Sequence, residues 1–314
     1  MYKNALYLTL GFAFSLAPIF AGDPHYVFTT VDFPGASSTQ VAHINNRGEI
    51  AGLYNDVNGV FRAFYETNGV LTTVPGLAGQ GPSEAGKVNK LGMVVGDYLD
   101  GSGIDHSFLF QTGSPLLTLD APGAKGTQLV DVNALGTVMV GFVLDQKLAA
   151  HGVIRDHGSW TTFDYPGDHV SCTVAASLSD FGYVVGTVTI PGPAPKYPVC
   201  PGGAGEEHGY IRLPDKTFIL LDVPHAQHQT VPLGINNFGM IVGGYADGNR
   251  THGFLLADGR FTSIDVPGST FTVVFGINDL GEITGTYKNE GGTPDCPATA
   301  PCGNFHGFRA TLRH

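Results

Sequence analysis

From Tyr26 to Leu312 short apolar runs alternate with polar, glycine-rich turns, and the spacing is too tight for helices. Residues 252–268 show the unit. Two strand-like runs flank Asp258-Gly259, a dipeptide that tolerates positive φ and suits a tight hairpin. A Pro-Gly break follows at Pro267-Gly268. A valine-rich run then ends at Asn278-Asp279-Leu280-Gly281, a second turn.

The unit recurs. Its glycine-closed turn stands at Asn45 to Gly48, Asn89 to Gly92, Asn133 to Gly136, Ser179 to Gly182, Asn236 to Gly239 and Asn278 to Gly281. Each is followed by an apolar run with a second glycine: Gly52, Gly96, Gly141, Gly186, Gly243 and Gly285. A third landmark is Arg62-Ala63-Phe64, then a histidine in every later copy: His106, His151, His208, His252 and His306. The fourth is an Asp-x-Pro-Gly-like end at Asp32, Asp120, Asp164, Asp222 and Asp265, reduced to Val74-Pro75-Gly76 in the first copy. A period near 44 residues, the spacing of Asn45, Asn89 and Asn133, marks a repeat architecture.

Four short strands, A to D, fill each unit. The expected fold is all-β, a six-bladed β-propeller with four antiparallel strands per blade. The blades fall at about 39–74, 84–120, 127–164, 171–222, 230–265 and 271–312, the last completed by 26–32. The segment from Tyr26 to Asp32 reads as a strand D with no A to C before it, and the chain ends on a strand C. The N-terminal strand is therefore expected to complete the last blade and close the ring, which removes a sheet edge.

The histidine opens strand C and the aspartate ends strand D, so antiparallel pairing predicts five partners: His106–Asp120, His151–Asp164, His208–Asp222, His252–Asp265 and His306–Asp32. Odd-length turns in the second and fourth copies predict looser pairing there. The first copy loses both partners together, with Arg62 in place of histidine. One site per blade is too dispersed for a single metal ion, so these read as structural pairs, with no metal and no cofactor expected.

Strand A supplies the other candidate. Five positions before the turn glycine stand His43, Lys87, Asp131, Ser177, Gly234 and Gly276, and the next position is always apolar. The first three are expected to face the channel on successive blades, as an acid–base set or as a satisfied ion-pair lining. No phosphate-cradling loop, nucleophile elbow, zinc motif or calcium loop is present. Asp247-Gly248-Asn249 has ordinary turn composition, and Asn249-Arg250-Thr251 matches a glycosylation acceptor only in form.

Residues 1–21 read as a secretory signal, with Lys3 ahead of an apolar stretch and Ala21-Gly22 as the cleavage point. The mature chain, 26–314, is then secreted or periplasmic, a monomer with no membrane insertion. Losing Lys3 takes the formal charge from −11 to −12, against nucleic acid as a partner. The 45 glycines and 20 prolines sit at fixed places between apolar runs, so they mark turns rather than disorder. Four cysteines in an exported chain imply two disulfides. The two long B-to-C loops, 189–206 and 289–304, carry three of them. Strand direction puts Cys172 on the same face as Cys200, giving Cys172–Cys200 and Cys296–Cys302 as the expected pairs. The first would contribute about 3.5 kcal/mol by loop-closure entropy.

The His-Gly-Phe, Phe-Thr-x-Ile-Asp-x-Pro-Gly and Gly-Ile-Asn-x-x-Gly-x-Ile-x-Gly elements resemble the bacterial extracellular repeat family named for its His-Ala-Phe tripeptide (HAF), over residues 26–312. The resemblance implies an exported repeat protein and brings no settled activity or catalytic residues. The chain stops at His314 without the sorting segment some members carry, so surface anchoring by that route is not expected. The sequence favours a binding or scaffold module that holds an extracellular ligand, glycan or protein, on its long-loop face. The alternative is an extracellular lyase or hydrolase acting on a polysaccharide at the channel mouth.

Overall fold

The computed structural model describes residues 25–77, 79–193, 200, 205–289 and 305–313. The expected signal at 1–21, most of both long loops, and Cys296 and Cys302 lie outside the described residues. The described chain is all-β, with no helix long and apolar enough to cross a membrane.

The first strand is β1 (Tyr26–Val31). Four separate four-stranded antiparallel sheets follow in chain order. The first holds β2 (Thr39–Ile44), β3 (Ile50–Asn55), β4 (Phe61–Thr67) and β5 (Val70–Thr73); the second holds β6 (Ser83–Val88), β7 (Met93–Leu99), β8 (Asp105–Gln111) and β9 (Leu117–Leu119). The third comprises β10 (Gly126–Val132), β11 (Val138–Leu144), β12 (Ala150–Asp156) and β13 (Ser159–Phe163). The fourth comprises β14 (Cys172–Leu178), β15 (Val184–Ile190), β16 (Glu206–Arg212) and β17 (Phe218–Leu221).

The remaining strands are β18 (Thr230–Ile235), β19 (Ile241–Ala246), β20 (Thr251–Ala257), β21 (Arg260–Ile264), β22 (Ser269–Ile277), β23 (Ile283–Asn289) and β24 (His306–Leu312). With β1 they form one eight-stranded sheet. Within it, β18 to β21 form one antiparallel meander and β22 to β24 another, joined by a single parallel bridge, Thr251 to Phe271. β1 runs antiparallel to β24, with Tyr26 opposite Leu312 and Val31 opposite Gly307.

The turn motif explains the regular strand ends. Each closing glycine takes positive φ, from +74° at Gly92 to +82° at Gly182, a conformation other residues adopt only with strain. The second glycine has a different reason. A Cβ at Gly52 would drive into the Gln40 carbonyl and the Phe64 ring; at Gly243 it would meet the Val231 carbonyl and Phe254. These glycines lie directly opposite the aromatic of the third landmark, as in Gly52–Phe64 and Gly243–Phe254, so the ring fills the space left by the missing side chain.

The sheets pack face to face in sequence order, which is a propeller arrangement. Ala51 and Ala63 of the first sheet share a core with Val88, Val94 and Phe108 of the second, and Val95 joins Leu129 and Met139 of the third. Val140 then packs with Leu178 and Val184, and Val185 and Ile211 with Ile235 and Phe254. Chain-distant elements also touch: Thr39 donates its N–H to the Phe305 carbonyl at 3.0 Å, and Arg309 donates to the Gly48 carbonyl at 3.3 Å.

Candidate functional site

The inner strands converge on a cavity of about 210 Å³ at the end where strands A turn into strands B. Its wall takes residues from β2, β6, β10, β14, β18 and β22 and the turns after them, including His43, Lys87, Lys90, Asp180, Asn237 and Asp279.

Two hydrogen-bonded layers build this mouth. In the deeper one, the first residue of each turn acts as a local cap, and Asn45, Asn89, Asn236 and Asn278 also link one sheet to the next. Asn45 Oδ1 accepts from the N–H groups of Arg47 and Glu49, while its Nδ2 donates to the Asn89 carbonyl at 3.0 Å. Asn89 likewise donates to the Asn133 carbonyl at 3.1 Å, Asn236 to Asn278 at 3.0 Å, and Asn278 to Asn45 at 3.0 Å. In the outer layer the next turn residue passes its N–H to the side chain one sheet on. Ala134 donates to Asp180 Oδ1 at 2.8 Å, Asp180 to Asn237 Oδ1 at 2.8 Å, Asn237 to Asp279 Oδ1 at 2.9 Å, and Asp279 to Asn46 Oδ1 at 2.8 Å.

Beneath these layers the structure brings the strand-A candidates together. Lys87 Nζ lies 2.6 Å from Asp131 Oδ1. Asp131 Oδ2 accepts from Ser177 Oγ at 2.5 Å and from the Leu178 N–H at 3.0 Å, and Ser177 Oγ accepts from the Ile235 N–H at 3.2 Å. Burial raises the Asp131 carboxyl above its ordinary range, while Lys87 and these donors pull it back. Burial, then the Lys87 charge, hold His43 well below its usual value, so it is neutral at pH 7. His43 Nδ1 is buried without a hydrogen-bond partner.

A β-bulge sets this geometry. In every strand A the register with strand B shifts by one residue, between Val41 and His43, Ala85 and Lys87, Leu129 and Asp131, Ala175 and Ser177, Pro232 and Gly234, and Val274 and Gly276. The bulge interrupts simple in–out alternation. Asp131 is only 2% exposed and is held between sheets, by Lys87 on one side and Ser177 on the other.

The histidines lie at the opposite end of the sheets. Nδ1 is 2.9 Å from Asp120 in His106, 2.7 Å from Asp164 in His151 and 2.9 Å from Asp222 in His208. It is 2.9 Å from Asp265 in His252 and 2.8 Å from Asp32 in His306. The odd-length turns do not loosen the second and fourth pairs, because the strand ladder sets the register: Ser107 faces Leu119, and Gly209 faces Leu221.

A second carboxylate, which the sequence reading passed over, meets the other ring nitrogen. Nε2 of His106 is 3.5 Å from Asp100, and that of His252 is 3.3 Å from Asp247. In the fourth sheet Glu206 takes this place, 3.4 Å from His208. The aspartates open the B-to-C turns; Asp100 Oδ1 accepts from the Ser102 and Ile104 N–H groups, which hold its carboxyl below the ordinary range. Their signal was an aspartate six residues before Arg62, His106 and His151, at Asp56, Asp100 and Asp145. In the first sheet Arg62 fills the histidine position: its Nε is 3.1 Å from Asp56, and Nη1 donates to the Gln80 and Gly81 carbonyls.

At that same end Cys172 and Cys200 form a disulfide with Cα atoms 6.0 Å apart. Buried Glu207 reinforces it, accepting from the Cys200 N–H at 2.7 Å and from Gln229 Nε2 at 2.8 Å. Among the described residues no group of three or more His, Cys, Asp or Glu side chains is placed to hold a metal ion.

No family model matches the chain, and no curated protein does. Solved propellers do match in fold. A mutant of AofleA from Arthrobotrys oligospora is 13% identical, with a TM-score of 0.51, over 85% of this chain and 83% of its own. The Aleuria aurantia lectin, solved with alpha-methyl-L-fucoside, is 10% identical with a TM-score of 0.50, over 91% and 96%. TolB from Acinetobacter baumannii is 13% identical with a TM-score of 0.50, over 76% of this chain; the match spans about half of the TolB chain, 53%. At such identities the likeness is one of fold.

Proposed function

We propose that the chain is an exported six-bladed β-propeller of the HAF repeat family, closed by β1 as the outer strand of the last blade, and that it works as an extracellular binding or scaffold module through its long-loop face. The β1–β24 ladder and the contacts from β22 and β24 back to the first sheet support the closed ring. The two four-strand meanders of the eight-stranded sheet support counting it as two blades. A disulfide supports an oxidising compartment, outside the cytosol.

The observation that carries the binding reading is the double brace at Cys200. A disulfide and a buried carboxylate both hold Cys200, within the 189–206 loop, more firmly than a solvent-exposed insertion needs, and such bracing favours binding. Lectins on the same fold make glycans the first class to test. The purified mature protein is screened against immobilised glycans and polysaccharides, reading both retention and cleavage. Retention without products, weakened in Cys172→Ser/Cys200→Ser, is expected; products would overturn it.

One observation favours the second reading, a lyase or hydrolase at the channel mouth: Lys87, Asp131 and neutral His43 stand together there. Against it, both Asp131 oxygens are already engaged by the protein. Polysaccharide cleavage abolished by Lys87→Ala or Asp131→Ala would establish the enzyme.

A further inference from the structure

The outer layer of the channel mouth is a relay with two missing rungs. Four consecutive turns obey one rule: the N–H of the second turn residue donates to a side-chain oxygen at the same position one sheet on. Asp180, Asn237, Asp279 and Asn46 supply those oxygens. The next two positions hold Lys90 and Ala134, neither of which can accept a hydrogen bond through its side chain. The N–H groups of Asn46 and Lys90 accordingly have no protein acceptor among the described residues, and these two turns are neighbours, joined by the Asn45–Asn89 link. Lys90 is exposed, lines the cavity and has no ion-pair partner among the described residues, whereas Lys87 below it is committed to Asp131.

These adjoining turns therefore gather two main-chain donors and an ammonium, on exposed residues, that no protein acceptor takes up among the described residues. Asp180, two sheets beyond Lys90, and Asp279, hydrogen-bonded to the Asn46 side chain, carry carboxylates that already take relay hydrogen bonds and retain lone pairs for a hydroxyl donor. A bare anion would answer only the first half. A polyhydroxy carboxylate answers both. The cavity, about 210 Å³, falls below the roughly 300–1,000 Å³ of sites for drug-sized ligands, which limits the occupant to about one sugar ring.

We propose that the channel mouth binds a sugar acid of monosaccharide size, whose carboxylate takes the hydrogen bonds of the Asn46 and Lys90 N–H groups and the Lys90 ammonium while its hydroxyls donate to Asp180 and Asp279. The carboxylate supplies the acceptor that Asp180, Asn237, Asp279 and Asn46 provide elsewhere in the relay. The site is at the far end of the sheets from the long loops, so it stands independently of the binding surface proposed there.

The test is calorimetric titration at pH 7 with glucuronate and galacturonate, against glucose and galactose. Both uronates should bind, with the neutral sugars at least tenfold weaker. Ala134→Asp adds to the third turn the side chain that Asp180 presents in the fourth; it should satisfy the Lys90 N–H, leave the thermal midpoint no lower, and weaken uronate binding at least tenfold. Lys90→Gln, on an exposed side chain, should weaken it similarly with an unchanged circular dichroism spectrum. Cys172→Ser/Cys200→Ser should leave uronate binding as it was, which separates this site from the long-loop face. Equal affinity for charged and neutral sugars, no uronate binding, or undiminished binding in Lys90→Gln would overturn the proposal.

Discussion

The side-chain amide of Asn278 donates a hydrogen bond to the main-chain carbonyl of Asn45 at 3.0 Å, although 233 residues separate them in the chain. The same side chain accepts from the N–H groups of Leu280 and Glu282 through Oδ1. One asparagine thus shapes its own turn and binds the last inner strand to the first. Asn278→Ala removes the cap on the Leu280 and Glu282 N–H groups and the link between sheets, while the Asn45 carbonyl keeps the Gly48 N–H. It should cost about 1–3 kcal/mol, read from the urea midpoint, with Asn278→Ser costing less, because Ser179 already serves in the fourth turn. An unchanged midpoint in Asn278→Ala would contradict this role.

The His208–Asp222 pair should make stability depend on pH. The hydrogen bond that His208 donates to Asp222 raises the His208 pKa; burial opposes it, and the charges of Asp222 and Glu206 add to the rise. A histidine whose folded value is raised favours the folded state when protonated. Its contribution is complete below the unfolded value, about 6.5, and is lost as pH rises through the raised folded value. The stability gap between the wild type and His208→Gln, measured by denaturant titration, should be larger at pH 6 than at pH 8. A constant gap would contradict the account.

The second sheet carries an opposing element. Glu84 and Asp97 lie directly across from each other on β6 and β7, where like charges repel. The Glu84 carboxyl is pushed up to about 7 by desolvation among its neighbours, then by Asp105, although its side chain reaches solvent. Burial, with Glu84 and Asp105, drives Asp97 well upward too. A raised carboxylate costs nothing below its unfolded value and its full penalty above the folded one. Stability should therefore fall between about pH 4.5 and 7, and Glu84→Gln should be more stable than the wild type at pH 8. If Glu84→Gln is less stable there, the carboxylate is paired rather than strained.

Much of the fold was legible because its unit is punctuated by residues with strict backbone demands. A glycine at positive φ, such as Gly48, and a glycine beneath an aromatic, such as Gly243 under Phe254, leave the same mark in each copy. The strand-A bulge left none. Its extra residue is Ala42, Gly86, Val130, Ala176, Leu233 or Phe275, all apolar and so no different from ordinary strand positions beside them, since a bulge is a property of pairing rather than of composition. The hold that Lys87 and Ser177 take on Asp131 from both sides was therefore not legible in detail. The histidine partners followed from hairpin arithmetic; Asp100 sits across a different turn and left only its six-residue spacing before His106, a spacing that Asp247, five before His252, does not keep. The relay at the mouth was invisible for a similar reason: Asp180 and Asn237 contact each other across 57 residues.

The account rests on a ring fastened by its first strand, and amide hydrogen exchange tests that directly. In the full chain, the laddered amides between Tyr26 and Val31 should be as strongly protected as those between Gly307 and Leu312, and should exchange together with them under mild denaturant. Rapid exchange of 26–31 while 307–312 stays protected would mean that β1 does not hold the last sheet, and that the ring is not closed in this way.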